Sequence, residues 1–310
     1  MTRRILAVTA AVAALAVALA GCGSSKKSGS GSGGHLVIGS ADFSEQQVLA
    51  NLYALLAQNA GYTASIQTVT TREIYEPALE KGQIDIVPDY AATFTEYLND
   101  KVNGTNAAVV ATSDKDTTLA ALNKLAKPRG LTALEPSDAA DENAFAVTKD
   151  FAAKHNLKTL SDLAAAKLPI KLAAPAECKS RPFCGGALTD KYGIDITKYD
   201  PFDFDSVPGK KAVQDGNDDM VEVATDDGTL DQFNLVILQD DKHVQLADNL
   251  VPIVGKKYAN DSKLAAAINV LAPVLTSEDL GAMDAQVDTQ KKLPADVAKA
   301  YLVSKKLIKG

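Results

Sequence analysis

The chain has 310 residues, 46% hydrophobic and 23% charged, the balance of a globular protein long enough for two modest domains or one larger one. A formal net charge of −7 gives an acidic surface, which argues against nucleic acid as a partner.

Arg3 and Arg4 precede an uncharged apolar run over residues 5–20. That run is too short for a comfortable membrane span and reads as the apolar region of a secretory signal. It ends in Leu19-Ala20-Gly21-Cys22, which resembles a bacterial lipobox. The resemblance implies a signal peptide over residues 1–21, thioether lipidation of Cys22 and an extracytoplasmic protein held on the bacterial cell membrane by that lipid. Loss of Arg3 and Arg4 with the leader takes the charge from −7 to −9. Residues 23–34 read GSSKKSGSGSGG, a flexible coil, so residues 22–34 form the lipidated cysteine and its tether. No strand precedes these glycines, which rules out a nucleotide-binding loop.

HLVIG at 35–39 predicts a short strand, and Val48, Leu49, Leu52, Tyr53, Leu55 and Leu56 then recur at helical spacing. Ser44 with Gln47 predicts a capping box for that helix and Gly61 its stop. A β-rich run follows at 66–70, then a short helix in REIYEPALEKG and a buried strand starting at Ile84. Strands alternating with helices argue for an α/β sheet covered on its faces. Another helix spans 114–126, opened by Ser113 or Asp114. A second series begins near Pro136: the strand AFAVTK, a helix capped near Thr159, the strand IKLAAP, a cysteine loop, a helix-like ALTDKYG, and the strands MVEVATDDG and NLVILQDD. The C-terminal stretch reads as helices, with Thr276 and Asp279 as a capping pair and Pro294 in a first turn.

Beyond Cys22 the cysteines are Cys178 and Cys184, in AECKSRPFCGG. Outside the cytosol such a pair oxidises, and His35, His155 and His243 are too scattered to complete a zinc shell with them. A disulfide is therefore expected.

The segments SADFSEQQVLANLYALLAQNAGY and TTREIYEPALEKGQIDIVPDYAAT, in that order, resemble the solute-binding proteins of glycine betaine, choline and related osmoprotectant ABC importers. Phe43, Glu45 and Gln46 match that family's Phe-x-Glu-Gln segment. Asp85, Pro88, Asp89, Tyr90 and Thr93 match its Asp-x-x-Pro-Glu-Tyr-Thr-Gly-Thr segment loosely. Arg181 with Gly185 and Gly186, Tyr192-Gly193, the TDDG from Thr225, LVILQDDK and the closing VDTQKKLPADVAKAYL extend the likeness over almost the whole mature chain.

The resemblance implies a two-lobed, periplasmic-binding-protein-like α/β fold (type II) with a ligand cleft between the lobes. The first lobe takes residues 35–134 and, on the return, 245–310; the second takes 135–244. It also implies delivery of an osmoprotectant-type solute to ABC permease subunits, by a monomer that needs no cofactor. Ligand contacts are expected from Ser40, Phe43, Gln46, Thr71, Arg72, Tyr75, Tyr90, Asn143, Arg181 and Thr225.

Family members that bind quaternary ammonium compounds surround the cation with tyrosines, whose faces attract a charge that donates no hydrogen bond. Tyr90 keeps one such position, but the others fall at Asn143, Ala224 and near Ala247 and Asp248, so the cage is largely lost. Tyr75 and Phe43 are either replacement rings or core packing. Arg181 is either a carboxylate clamp in the cleft or a surface charge beside the cysteine loop. Arg72 is either an anion contact at a helix start or a salt bridge to Glu73, Glu76 or another neighbour. These losses raise a second expectation, a non-quaternary polar or carboxylate-bearing solute on the same fold. An exported enzyme is disfavoured because no nucleophile elbow or HExxH occurs. DGNDDM at 215–220 lacks the spaced ligands of a calcium loop and reads as a solvated acidic turn.

Overall fold

A computed structural model describes residues 33–310 apart from 106, 113 and 247. The signal sequence, Cys22, most of the tether, Ser113 and Ala247 therefore lie outside the described residues.

Two five-stranded sheets carry the fold. The first is built from β1 (His35–Ser40), β2 (Thr63–Thr68), β3 (Ile86–Tyr90), β4 (Thr132–Ala133) and β10 (Leu250–Val254), in the order β2-β1-β3-β10-β4. The second is built from β5 (Asn143–Thr148), β6 (Ile170–Ala174), β7 (Ile196–Pro201), β8 (Met220–Ala224) and β9 (Leu235–Leu238), in the order β7-β6-β8-β5-β9. Each sheet has three neighbouring strands in parallel, β2-β1-β3 in the first and β7-β6-β8 in the second, as helical crossovers require, and one antiparallel strand that adjoins a crossing: β10 beside β3 in the first, β5 beside β8 in the second. This is the two-lobed α/β architecture. The crossing segments run side by side, with Ala140 bridged to Asn249 and the Asp141 N–H donating to the Asp248 carbonyl at 3.2 Å.

Helices α1 (Ser44–Asn59), α2 (Arg72–Glu80), α3 (Ala91–Asn103) and α4 (Lys115–Ala126) belong to the first lobe, and α5 (Lys149–His155), α6 (Leu160–Ala166) and α7 (Val207–Gln214) to the second. The last three are α8 (Ser262–Ile268), α9 (Ser277–Asp288) and α10 (Pro294–Ser304). Leu49, Leu52 and Leu56 of α1 share one buried cluster with Leu264, Leu280, Met283, Val297 and Leu302, so the C-terminal helices return to the first lobe to cover α1. Each fully buried leucine contributes about 1.5–3 kcal/mol of transfer free energy, which makes that return cooperative with the first sheet.

The local signals hold where partners are close in sequence. Capping boxes form at Thr159 with Asp162 and at Thr276 with Asp279, and the Asp114 side chain accepts from Thr117 N–H. The box expected for α1 does not form. Its N-cap is Phe43, and the Ser44 hydroxyl is drawn away to donate to the Asp288 carboxylate on α9. ALTDKYG is helical, but wound as a π turn from Ala187 to Tyr192. In the acidic turn, Asp218 is buried rather than solvated, and burial pushes its carboxyl up to about 6.

Gly281 on α9 meets the turn after β8: a β-carbon there would lie 2.4 Å from the Asp226 carbonyl oxygen. Alanine is ordinarily worth about 1 kcal/mol more than glycine inside a helix. Gly281→Ala is nevertheless expected to lower stability, by roughly 1–3 kcal/mol, because backbone must shift. Urea denaturation of the variant checks this, and a net gain in stability would show that the two surfaces do not meet there.

Candidate functional site

A cavity of about 710 Å³ lies between the two sheets, within the size range of small-molecule sites. Eight of the ten residues expected at a ligand site line it: Phe43, Gln46, Thr71, Arg72, Tyr75, Tyr90, Asn143 and Arg181. They arrive there from the N-cap and first turn of α1, the start of α2, the end of β3, the start of β5 and the cysteine loop. Ser40 is fully buried, with its hydroxyl donating to the Ala41 carbonyl at 2.7 Å, and is not among the lining residues. Thr225 is not among them either; its hydroxyl accepts from Glu142 N–H at 3.1 Å.

Neither arginine points a free charge at the cavity as the sequence had suggested. Arg72 grips Asp89 through Nε, at 3.2 and 3.1 Å from the two carboxylate oxygens, and through Nη2 at 2.5 Å. Its Nη2 also donates to Thr93 Oγ1 at 2.8 Å. The partner is thus neither Glu73 nor Glu76. Burial opposes the Arg72 charge, but Asp89 outweighs it and holds the guanidinium protonated well above its ordinary range. Arg181 reaches across the cleft, with Nη2 at 3.1 and 3.0 Å from the Glu73 oxygens and 3.2 Å from Glu177 Oε1. Lys101, a third cation on the wall, is bonded to Glu76. All three cavity-lining cations are therefore already neutralised by the protein's own carboxylates.

The rings are arranged differently from the expected cage. The Tyr75 hydroxyl donates to Asp89 Oδ2 at 2.6 Å, which ties this ring into the wall. Tyr90 is bonded to Glu45, and burial with that neighbour raises its phenol well above the ordinary value. Asn143 and Ala224, two positions where the family places tyrosines, are cross-strand partners in the second sheet. In their place Phe183, Phe202 and Phe204 enter the cavity from the second lobe. Phe204 meets Phe43 of the first lobe edge to face, with ring centroids 5.4 Å apart. Sequence reading missed these phenylalanines, although PFDFD at 201–205, with rings alternating with acids outside any strong helical pattern, was a usable signal.

Acidic groups complete the site. Asp248 receives Ala92 N–H at 2.6 Å and Thr93 N–H at 3.1 Å, capping α3, and burial pushes its carboxyl up to about 7 against the pull of Arg72. Asp141 is buried on the cavity wall; burial first and the nearby Glu45 and Asp226 second raise its carboxyl well above the usual range. On the floor of the second lobe, buried Cys178 and Cys184 are joined as a disulfide with Cα atoms 5.1 Å apart, beside Glu222.

The profile of the OpuAC family, the substrate binding domain of ABC-type glycine betaine transport systems, matches residues 34–304. A glycine-betaine-binding protein of Pseudomonas aeruginosa is 26% identical over 277 residues, covering 86% of each chain. A carnitine transport binding protein of Listeria monocytogenes is 24% identical over 283 residues, covering 88% of this chain and 87% of the relative. Among solved structures, a glycine betaine/carnitine/choline ABC transporter protein superposes with a TM-score of 0.65 at 21% identity, over 88% of this chain and 99% of its own. A choline binding protein in complex with choline gives 0.61 at 11% identity, over 88% and 89%. Among the described residues no helix is long and apolar enough to cross a membrane.

Proposed function

The chain belongs to the OpuAC family, the substrate binding domain of ABC-type glycine betaine transport systems, and from that premise we propose that its cavity takes the cationic head of a quaternary ammonium solute of the betaine, choline or carnitine type. Membership makes it a solute-binding transport component rather than an enzyme. The observation that carries the reading of the solute is the charge state of the cavity: Arg72, Lys101 and Arg181 are each paired with a carboxylate, whereas Phe43, Tyr90, Phe183, Phe202 and Phe204 line the wall. A cation that cannot donate hydrogen bonds gains from ring faces and needs no polar partner. The expectation of a non-quaternary polar or carboxylate-bearing solute is not favoured by the comparisons, and the arginines on which it leaned are committed elsewhere.

Calorimetry with choline, glycine betaine and carnitine against non-quaternary amino acids and sugars tests this. Only the quaternary compounds should bind, and Tyr90→Ala and Phe204→Ala should each cost about 0.5–2 kcal/mol, roughly 2- to 30-fold in Kd. Tyr90→Phe keeps the ring face and should keep most of the affinity. Binding of a sugar or a non-quaternary amino acid with equal strength would reject the assignment.

Sheet membership supports lobe limits at 35–134 with 245–310 and at 135–244, since the first sheet draws strands from both ends of the chain and the second only from its middle. Closure of these lobes over the solute would present a changed surface to permease subunits, with the protein acting as a monomer. The lipobox-like Cys22 and its glycine-serine tether support attachment to the outer side of the cell membrane, where a Cys178–Cys184 disulfide is stable. Cys22→Ala should abolish lipid labelling and membrane retention; normal retention would refute the anchor.

A further inference from the structure

At the wall of the solute cavity, which Asp141 lines, three carboxylates from three different segments converge. Glu45 sits in the first turn of α1, Asp141 on the first crossing segment and Asp226 in the turn after β8, and each offers an oxygen within 4.8 Å of the others. Glu45 and Asp141 are each only 6% exposed. Like charges this close repel strongly, and three of them, two on buried residues and one on a partly buried one, demand a counter-charge or protons. Among the described residues the cations of this region are engaged elsewhere: Lys210 is held by Asp205, Asp227 and Thr229, and Lys291, which shares a small pocket with Glu45, donates to the Asp288 carbonyl. The charges acting most strongly on Asp141 are all negative, from Glu45, Asp226, Asp205 and Asp248.

A second observation points to a ligand. Asp141 Oδ1 and Asp226 Oδ2 are buried without a hydrogen-bond partner. Buried carboxylate oxygens are ordinarily satisfied, and an unpartnered one destabilises the fold. Two such oxygens next to a third carboxylate make an all-oxygen donor set, the chemistry that selects hard divalent cations. The spacing agrees, because oxygens at 2.0–2.6 Å from one ion stand roughly 3–5 Å from each other.

We propose that Glu45, Asp141 and Asp226 bind one hard divalent cation, calcium or magnesium, at the junction of the two lobes. The three ligands belong to the first lobe, the crossing and the second lobe, so the ion would tie the lobes together where they pivot. The site adjoins the solute cavity, since Asp141 is on its wall and Glu45 accepts from the Tyr90 hydroxyl.

The test is calorimetry and thermal unfolding of chelator-stripped protein, with calcium and magnesium chloride added separately. One of the two ions should bind saturably and raise Tm. Asp141→Asn and Asp226→Asn should weaken that binding by at least the roughly 10- to 100-fold that loss of even an outer partner costs a metal site. In chelator, Asp141→Asn should be at least as stable as the parent protein, because repulsion is relieved, which separates loss of a ligand from failure to fold. Asp215→Asn, in the acidic turn away from the cluster, should leave the ion affinity unchanged. No saturable divalent effect, or one that survives Asp141→Asn, would overturn the proposal; in the first case the cluster is neutralised by protons alone. Ion titrations are made without solute, and choline and betaine titrations with the unsubstituted protein in chelator, so failure of either reading leaves the other measurable although Asp141 borders both sites.

Discussion

Arg72→Ala should destabilise the protein by about 3–5 kcal/mol, because it strands the buried Asp89 carboxylate without its cation. Asp89 is fully buried and would keep only the Tyr75 hydroxyl at 2.6 Å and the Tyr90 N–H at 2.7 Å. Arg72→Lys should recover little, since an ammonium cannot reproduce the two-pronged grip on Asp89 and the bond to Thr93. Replacing both partners with apolar residues, Arg72→Met with Asp89→Leu, should restore most of the loss, as the desolvation penalty of both charges is removed. Urea unfolding of the two single variants and the double variant measures the coupling. If Arg72 were instead a free anchor for an anionic solute, Arg72→Ala would leave stability within about 1 kcal/mol and abolish binding alone.

Glu222 should make stability fall as pH rises through the neutral range. It is 4% exposed in the middle of β8, and burial pushes its carboxyl up to about 8 against a partial pull from Arg181. In the unfolded chain it titrates near its ordinary value of 4.5. Between those two values the folded state holds a proton that the unfolded state has lost, so each pH unit of increase costs up to about 1.4 kcal/mol. Below 4.5 the effect is fully absent, and above about 8 it is complete and flat. Glu222→Gln removes the charge and should stabilise the protein at pH 8 and above by roughly 2–4 kcal/mol, less than the full linkage value because a buried site relaxes around a charge. Asp226, Asp248 and Asp284, pushed up to about 7 chiefly by burial, act in the same direction and remain in the variant. The difference between the two pH–stability curves therefore isolates Glu222. Curves that run parallel from pH 5 to pH 9 would show that its charge is solvated in the fold.

How far the site was legible depended on the range of the interaction. The start of α2 after a β-rich run, where Thr71 and Arg72 line the cavity, was legible because a helix begins where local backbone and side-chain signals say it does. Whether Arg72 was free or paired was invisible, since its partner Asp89 lies in a different element and the choice among nearby carboxylates is made by packing. Ser44 shows the same limit: its short-range capping role lost to Asp288, a carboxylate brought up from α9. The rings Phe183, Phe202 and Phe204 come from the second lobe and line the cavity only when it faces the first.

By itself the sequence determined the α/β alternation, the apolar stripe of α1, the capped starts of α4, α6 and α9 and the kinship with betaine-type binding proteins, all of which rest on residue spacing within a few turns or strands. Only the tertiary structure decided that β10 returns to the middle of the first sheet. Its Pro252 stands opposite Pro88, and proline weakens any local strand signal. It also decided that the cavity's cations are already neutralised and that Glu45, Asp141 and Asp226 bring oxygens within 4.8 Å of one another. The reason is physical: spacing along the chain dictates which face a residue occupies, but a charge is satisfied or left wanting by whatever the folded chain packs against it.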